Sequence, residues 1–78
     1  MVKLFLLELT DKKATYKYHP EGEADFGIIE IDRVNKTCEV VKKATKMPHS
    51  EYWGQALAKA RKMLNKDEYP DFQMAAWY

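Results

Sequence analysis

Residues 26–42 read FGIIEIDRVNKTCEVVK and predict an antiparallel β-hairpin. Residues 26–32 are β-branched and aromatic, and Glu30 between two isoleucines gives them the two-residue period of a half-buried strand. Residues 33–36 are polar and predict a turn, and residues 37–42 predict the returning strand. The middle of the chain is therefore expected to be β-structure.

The sequence before this hairpin predicts two more strands. Residues 2–9 are short and apolar, and the polar residues 10–13 that follow them favour a tight turn. Residues 14–19 alternate, which places Tyr16 and Tyr18 on the same face of a second strand. Together with the hairpin, these segments predict a four-stranded antiparallel meander. The sequence does not decide which face of this sheet is buried, because strands one and three are apolar on both sides.

The segment between the second and third strands is acidic and predicts a loop. Pro20 lacks an amide hydrogen, so the second strand is expected to end before it. Three carboxylates alternate in the loop, in a cadence that resembles part of a calcium-binding loop: Glu21, Glu23 and Asp25. The twelve-residue pattern and its flanking helices are missing, so a solvated loop is the preferred interpretation.

From Ser50 onward the period becomes helical. Ser50 is a suitable capping residue and Glu51 suits the positive first turn. The apolar positions fall on one stripe of a helix of about four turns: Trp53, Ala56, Leu57, Ala60, Met63 and Leu64. Residues 65–70 end the helix and residues 72–78 predict a short final strand. The predicted fold class is α+β: a four-stranded antiparallel meander with one amphipathic helix packed on it and a short C-terminal strand, all in a single domain, 1–78.

Length and composition limit the classes of protein to which this chain can belong. It has 78 residues, of which 13% are aromatic and 32% are charged, and its formal net charge of +1 lacks the basic excess of a dedicated nucleic-acid binder. The longest apolar run, residues 4–7, is far too short to span a bilayer, and Glu8 interrupts it before any cleavage site of a secretory signal. Cys38 is the only cysteine, which excludes an internal disulfide and indicates a cytoplasmic location.

Three segments resemble a family of short bacterial proteins of uncharacterised function and about 80 residues. They are Tyr-Lys-Tyr-His-Pro-Glu-Gly at 16–22, the Phe-Gly pair at 26–27, and Ala-Ala-Trp-Tyr at 75–78. The resemblance covers nearly the whole chain and implies no activity, cofactor or functional residue. In the family pattern a glycine follows the threonine of the third turn, whereas Cys38 follows Thr37 here.

Few residues suggest catalysis. Cys38 could serve as a nucleophile only with a base nearby, and a small packing residue on a strand is the preferred interpretation. His19 and His49 have no cysteine or histidine partner at zinc-ligand spacing, and no glycine-rich phosphate loop is present. We therefore expect no enzyme activity, no catalytic residue, no metal and no cofactor. A small-molecule enzyme without a recognisable motif remains one alternative.

The main alternative, ahead of an enzyme, is weak nucleic-acid binding. Residues 1–39 are net acidic and residues 40–78 net basic. Basic residues of the second half lie before the helix and on its outer face: Lys42, Lys43 and Lys46, then Lys59, Lys62 and Lys66. The last three form a candidate anion or nucleic-acid face. Tyr16 and Tyr18 could stack on bases, although alternate tyrosines on a strand are more often core residues.

Aromatic side chains in the second half predict an interface. The candidate interface residues are Tyr52, Trp53, Trp77 and Tyr78, with core packing as the competing interpretation. One helix covers only part of a sheet of four or five strands, so an uncovered face or edge is expected to favour self-association. The predicted function is a small cytoplasmic protein-interaction or regulatory module that forms a homo-oligomer, most simply a dimer, or binds another protein, and that has no membrane partner.

Overall fold

The computed structural model describes residues 1–21, 24–46 and 49–75, except for the side chain of Ser50. Its elements are β1 (Val2–Leu9), β2 (Lys13–Pro20), β3 (Gly27–Asp32), β4 (Thr37–Lys42), α1 (Ser50–Lys66) and β5 (Phe72–Ala75). The strands form one five-stranded sheet in the order β4-β3-β2-β1-β5, and every neighbouring pair is antiparallel. This arrangement confirms the predicted α+β fold and its short C-terminal strand.

The turn between β3 and β4 is held by the side chain of Asp32. Its carboxylate accepts hydrogen bonds from the amides of Val34 and Asn35 at 3.0 and 2.9 Å, and from the Asn35 side chain at 2.9 Å. These bonds, chiefly those from Asn35, favour the ionised carboxylate and lower its pKa. The last turn residue, Lys36, has a φ of 60°. The turn lies at residues 33–36, as the sequence predicts.

The helix covers the sheet face that carries Tyr16 and Tyr18. Both tyrosines are fully buried. The same face supplies most of one continuous core, which the helix completes: Val2, Leu4, Ala14, Tyr16, Tyr18, Ile29 and Ile31 from the sheet, with Ala56, Ala60, Met63 and Leu64 from α1. The idea that Tyr16 and Tyr18 stack on bases is therefore wrong, since neither ring is accessible.

The buried tyrosines also fix the chain segments on either side of the helix. The Tyr16 hydroxyl donates to the carbonyl of Pro70 at 2.7 Å, just before β5. The Tyr18 hydroxyl accepts a hydrogen bond at 3.1 Å from the amide of Ala44, just after β4. Strand β2, at the centre of the sheet, is thus hydrogen-bonded to the segments before and after α1. The same two bonds give each buried hydroxyl group the partner that burial requires.

We expect the free energy of unfolding to fall as the pH rises from 10 to 12. Burial, with smaller contributions from Asp71 and Tyr69, raises the pKa of Tyr16 from 10.0 to about 12. Between these pH values the unfolded chain loses the phenolic proton while the folded chain keeps it, which costs about 2 kcal/mol by pH 12. Urea unfolding at several pH values measures this slope. The Tyr16→Phe variant should show a shallower slope, and an unchanged slope would contradict the assignment.

Strand β2 continues through Pro20, whereas the sequence predicted a stop before it. The Glu21 amide donates to the carbonyl of Met1 at 2.8 Å, on the β1 side. The nitrogen of Pro20 therefore faces the other side, where the pairing with β3 has already ended at Tyr18. The amide that proline lacks is not needed there, so the strand tolerates it at this position.

The helix departs from the prediction at its first residue. It begins at Ser50, so the capping position falls on His49 and not on Ser50. His49 makes no side-chain capping bond, but its carbonyl accepts the amide of Tyr52 at 3.0 Å. The C-terminal end of α1 is capped by Asp67, which adopts a left-handed conformation with a φ of 55°.

Within the described residues, no helix is both long and apolar enough to cross a membrane.

Candidate interaction surface

The sheet face opposite α1, which we call the open face, carries no helix. Alternation along the strands and the register between them place on it the side chains Lys3, Phe5, Glu8, Lys13, Thr15, Lys17, His19, Ile28, Glu30, Asp32, Thr37, Glu39, Lys42, Phe72 and Met74. Phe72 and Met74 are 45% and 39% exposed. An antiparallel sheet usually shows polar residues on its solvent side, and most of these side chains are polar. The apolar ones, Phe5, Ile28, Phe72 and Met74, lie together at one end of the face.

Four rings form a row on the open face, which we call the aromatic row: Phe72, Phe5, His19 and Phe26. The ring centroids of Phe72 and Phe5 are 5.1 Å apart, those of Phe5 and His19 5.5 Å, and those of His19 and Phe26 5.6 Å. These separations lie in the range of favourable aromatic pairs. The row runs from β5, at one edge of the sheet, to the residue before β3.

Two lysines lie over the aromatic row. The Nζ atom of Lys17 is 5.5 Å from the Phe5 ring centroid and 5.6 Å from that of Phe26. The Nζ atom of Lys42 is 4.2 Å from the Phe26 ring centroid. Cation–π attraction at these distances favours the positions of the two ammonium groups over the rings. This half of the open face is thus both apolar and positively charged.

The other half of the open face is acidic. Glu30 on β3 lies directly opposite Glu39 on β4, and a cross-strand pair of like charges is destabilising. Within the described residues, the ion pairs are those of the N-terminal amine with Glu21, of Lys13 with Glu8, and of Arg33 with Asp67. None of them neutralises the Glu30–Glu39 pair.

The open face is therefore electrically polarised along the strands. Among the described residues on this face, lysines and carboxylates are equal in number: Lys3, Lys13, Lys17 and Lys42 against Glu8, Glu30, Asp32 and Glu39. Apart from Lys13, the lysines lie at the end with the aromatic row, and the carboxylates lie at the opposite end. A surface of this kind carries no net charge but presents two regions of opposite sign.

Of the interface residues that the sequence singled out, Tyr52 and Trp53 lie on α1, on the other side of the sheet from the open face. Both are half-buried against the core. The Nζ atom of Lys43 is 5.1 Å from the Trp53 ring centroid. Trp77 and Tyr78 lie outside the described residues. The interface role of these four residues stays a prediction.

The three lysines of the candidate anion face converge on one groove, which we call the lysine groove. Lys59, Lys62 and Lys66 line a concavity of about 500 Å³ between the second half of α1 and the chain leading into β5. Lys42 and Lys43 lie elsewhere, over Phe26 and Trp53. The basic residues around the helix therefore do not form a single patch.

Cys38 and the two histidines are not arranged as a catalytic set. Cys38 is half-buried against the core, and burial raises the pKa of its thiol. His19 belongs to the aromatic row, whereas the ring of His49 lies 6.2 Å from that of Tyr52 at the start of the helix. Among the described residues, no group of three or more histidine, cysteine or carboxylate side chains is close enough to hold a metal ion.

The aromatic row was not among the sequence-based predictions. Alternation along β1 and β2 does place Phe5 and His19 on the face opposite Leu4 and Tyr18, so part of the signal is present. The missing information is the pairing of β1 with β5, which brings Phe72 directly opposite Phe5.

Comparison with known proteins adds no family to this picture. No protein-family model matches the chain, and no curated protein or solved structure is significantly similar to it.

Proposed function

We propose that this protein is a protein-interaction module that self-associates through its open face. The observation that carries the proposal is the polarised charge of that face next to the exposed aromatic row. Lys17 and Lys42 at one end can meet Glu30 and Glu39 of a second copy, while the rings are removed from water. We propose binding rather than catalysis as its role, in the cytoplasm, where its single cysteine would stay reduced.

A twofold axis suits this surface. We place the axis parallel to the sheet and perpendicular to the strands, midway between Lys42 and Glu39. Rotation about this axis puts Lys42 of one copy over Glu39 of the second copy, and Glu39 of the first over Lys42 of the second. Such an interface is closed, so the expected assembly is a dimer and not a filament. It also supplies the positive charge that the Glu30–Glu39 pair lacks within one chain.

The size of the face sets the expected affinity. Five strands about 4.8 Å apart, each with about six residues rising roughly 3.4 Å, give a planar area of roughly 490 Å² per chain. This is at the low end of specific protein interfaces. We therefore expect a dissociation constant in the micromolar range, and a dimer that forms and separates readily.

The acidic half of the open face argues against nucleic acid as its ligand. Exposed rings and lysines are typical of sheets that bind single strands. Here, however, Glu30 and Glu39 lie on the strands that carry Ile28 and Lys42, and they would repel a phosphate chain that crosses the face. A second copy of the chain matches both signs of charge, whereas a polyanion matches one.

Sedimentation equilibrium across a concentration series tests the proposal. The Phe72→Ser variant is expected to raise the dimer dissociation constant at least tenfold, because it removes an exposed aromatic ring that the dimer withdraws from water. The matched control is Val34→Ser, which removes an apolar side chain that is 64% exposed in the turn between β3 and β4. Equal effects of the two variants, or a wild-type protein that stays monomeric at high concentration, would refute the proposal.

A further inference from the structure

The lysine groove lies on the opposite side of the sheet from the open face and has its own chemistry. Lys59, Lys62 and Lys66 are spaced i, i+3 and i+7, so α1 presents them on one side of the helix. They share the groove with apolar and neutral groups, namely Met63, Tyr69, Pro70 and Gln73. A volume of about 500 Å³ lies in the usual range for small-molecule sites.

The ammonium groups of the groove form no ion pair with a carboxylate of the described residues. None of the ion pairs within the described residues involves Lys59, Lys62 or Lys66. Asp67, the acidic residue that follows the helix, is already paired with Arg33 at 3.2 Å. The only acidic side chain that lines the groove among the described residues is that of Glu68, so the lining has a net positive charge.

The spacing of the lysines indicates the kind of anion. Seven residues of helix separate Lys59 from Lys66, which corresponds to about 10 Å along the axis. A chain of linked phosphates matches a row of this length and can contact all three ammonium groups at once. Lysine is suited to this task because its compact charge can approach any face of a phosphate group.

We propose that the lysine groove binds a ligand with two or more linked phosphate groups. The apolar side of the groove, formed by Met63 and Pro70 with the ring of Tyr69, offers contact to any organic part of that ligand. The phosphates belong either to a small oligophosphate or to the backbone of a single-stranded nucleic acid. The proposal is independent of the dimer, since none of the described residues that line the groove lies on the open face.

The test is titration of the full-length protein with two probes, inorganic triphosphate and a single-stranded twelve-nucleotide oligothymidylate, at low and moderate salt. At least one probe is expected to bind, with an affinity that falls as salt rises. The triple variant Lys59→Gln, Lys62→Gln, Lys66→Gln should weaken that binding at least tenfold. Binding of triphosphate identifies a small oligophosphate as the ligand, and binding of oligothymidylate alone identifies nucleic acid.

A second triple variant controls for net charge. Lys12→Gln, Lys36→Gln, Lys46→Gln removes the same number of charges from exposed positions outside the groove and is expected to bind the probe as the wild type does. Urea midpoints of both triple variants verify that they fold. Equal losses in the two variants, or no binding of either probe to the wild type, would overturn the proposal.

Discussion

The Gly27→Ala variant is expected to lose about 3 kcal/mol of unfolding free energy, because overpacking of this kind forces backbone to move. Gly27 lies opposite Tyr18 in the β2–β3 pairing. A Cβ atom at this position would overlap the buried Tyr18 ring and would lie 2.5 Å from the carbonyl oxygen of Lys42. The ring cannot swing away, since its hydroxyl accepts the amide of Ala44. Urea unfolding measures the loss.

The Gly54→Ala variant is the matched control. Gly54 lies within α1, and a Cβ atom there would have no atom within 4 Å apart from the adjacent residues and the helix's own backbone. Alanine is favoured over glycine inside a helix by about 1 kcal/mol, so this variant is expected to gain stability. The same substitution thus has opposite signs at the two positions. A Gly27→Ala protein as stable as the wild type would show that β3 does not approach Tyr18 as closely as described.

The Lys42→Glu and Glu39→Lys variants are each expected to weaken self-association roughly a hundredfold. By twofold symmetry, each substitution places two pairs of like charges across the interface, which costs about 3 kcal/mol in total. Sedimentation equilibrium gives the dissociation constants. The Lys62→Glu variant makes the same change in charge as Lys42→Glu, but on the outer face of α1. It should dimerise as the wild type does.

The Glu39→Lys variant also separates association from folding. Within one chain it replaces the repulsion between Glu30 and Glu39 by an attraction, so the monomer is expected to gain about 0.5 kcal/mol of unfolding free energy. A more stable chain that associates less well would show that the acidic half serves binding and not the fold. A parallel loss of stability and association would contradict this assignment.

The meander was predictable because local patterns specify it. The alternation around Glu30, the polar turn at 33–36 and the apolar stripe on α1 each depend on neighbouring residues, and each is found in the structure. Pro20 and Ser50 were assigned incorrectly because their roles depend on where β3 ends and where the helix begins. The end of β3 and the start of α1 are set by tertiary contacts, so local sequence rules locate them only to within one or two residues.

The open face was not predictable, because it depends on pairing between distant strands. Phe5 and Phe72 are far apart in sequence and lie opposite each other only because β5 pairs with β1. Which face of the sheet is covered depends on the packing of α1 against Tyr16 and Tyr18. Alternation along the strands does not decide it. The lysine groove was partly predictable, since helical spacing unites Lys59, Lys62 and Lys66, but its second wall comes from residues 68–73.

Mixing the two charge-reversed variants tests the open-face dimer most directly. In a heterodimer of Lys42→Glu with Glu39→Lys, one contact joins the two substituted residues and the other joins the two native ones, so both pair opposite charges. Sedimentation equilibrium of the equimolar mixture is therefore expected to show a dimer with nearly the wild-type dissociation constant, although each variant alone is monomeric. A mixture that remains as monomeric as its components would contradict the proposed interface.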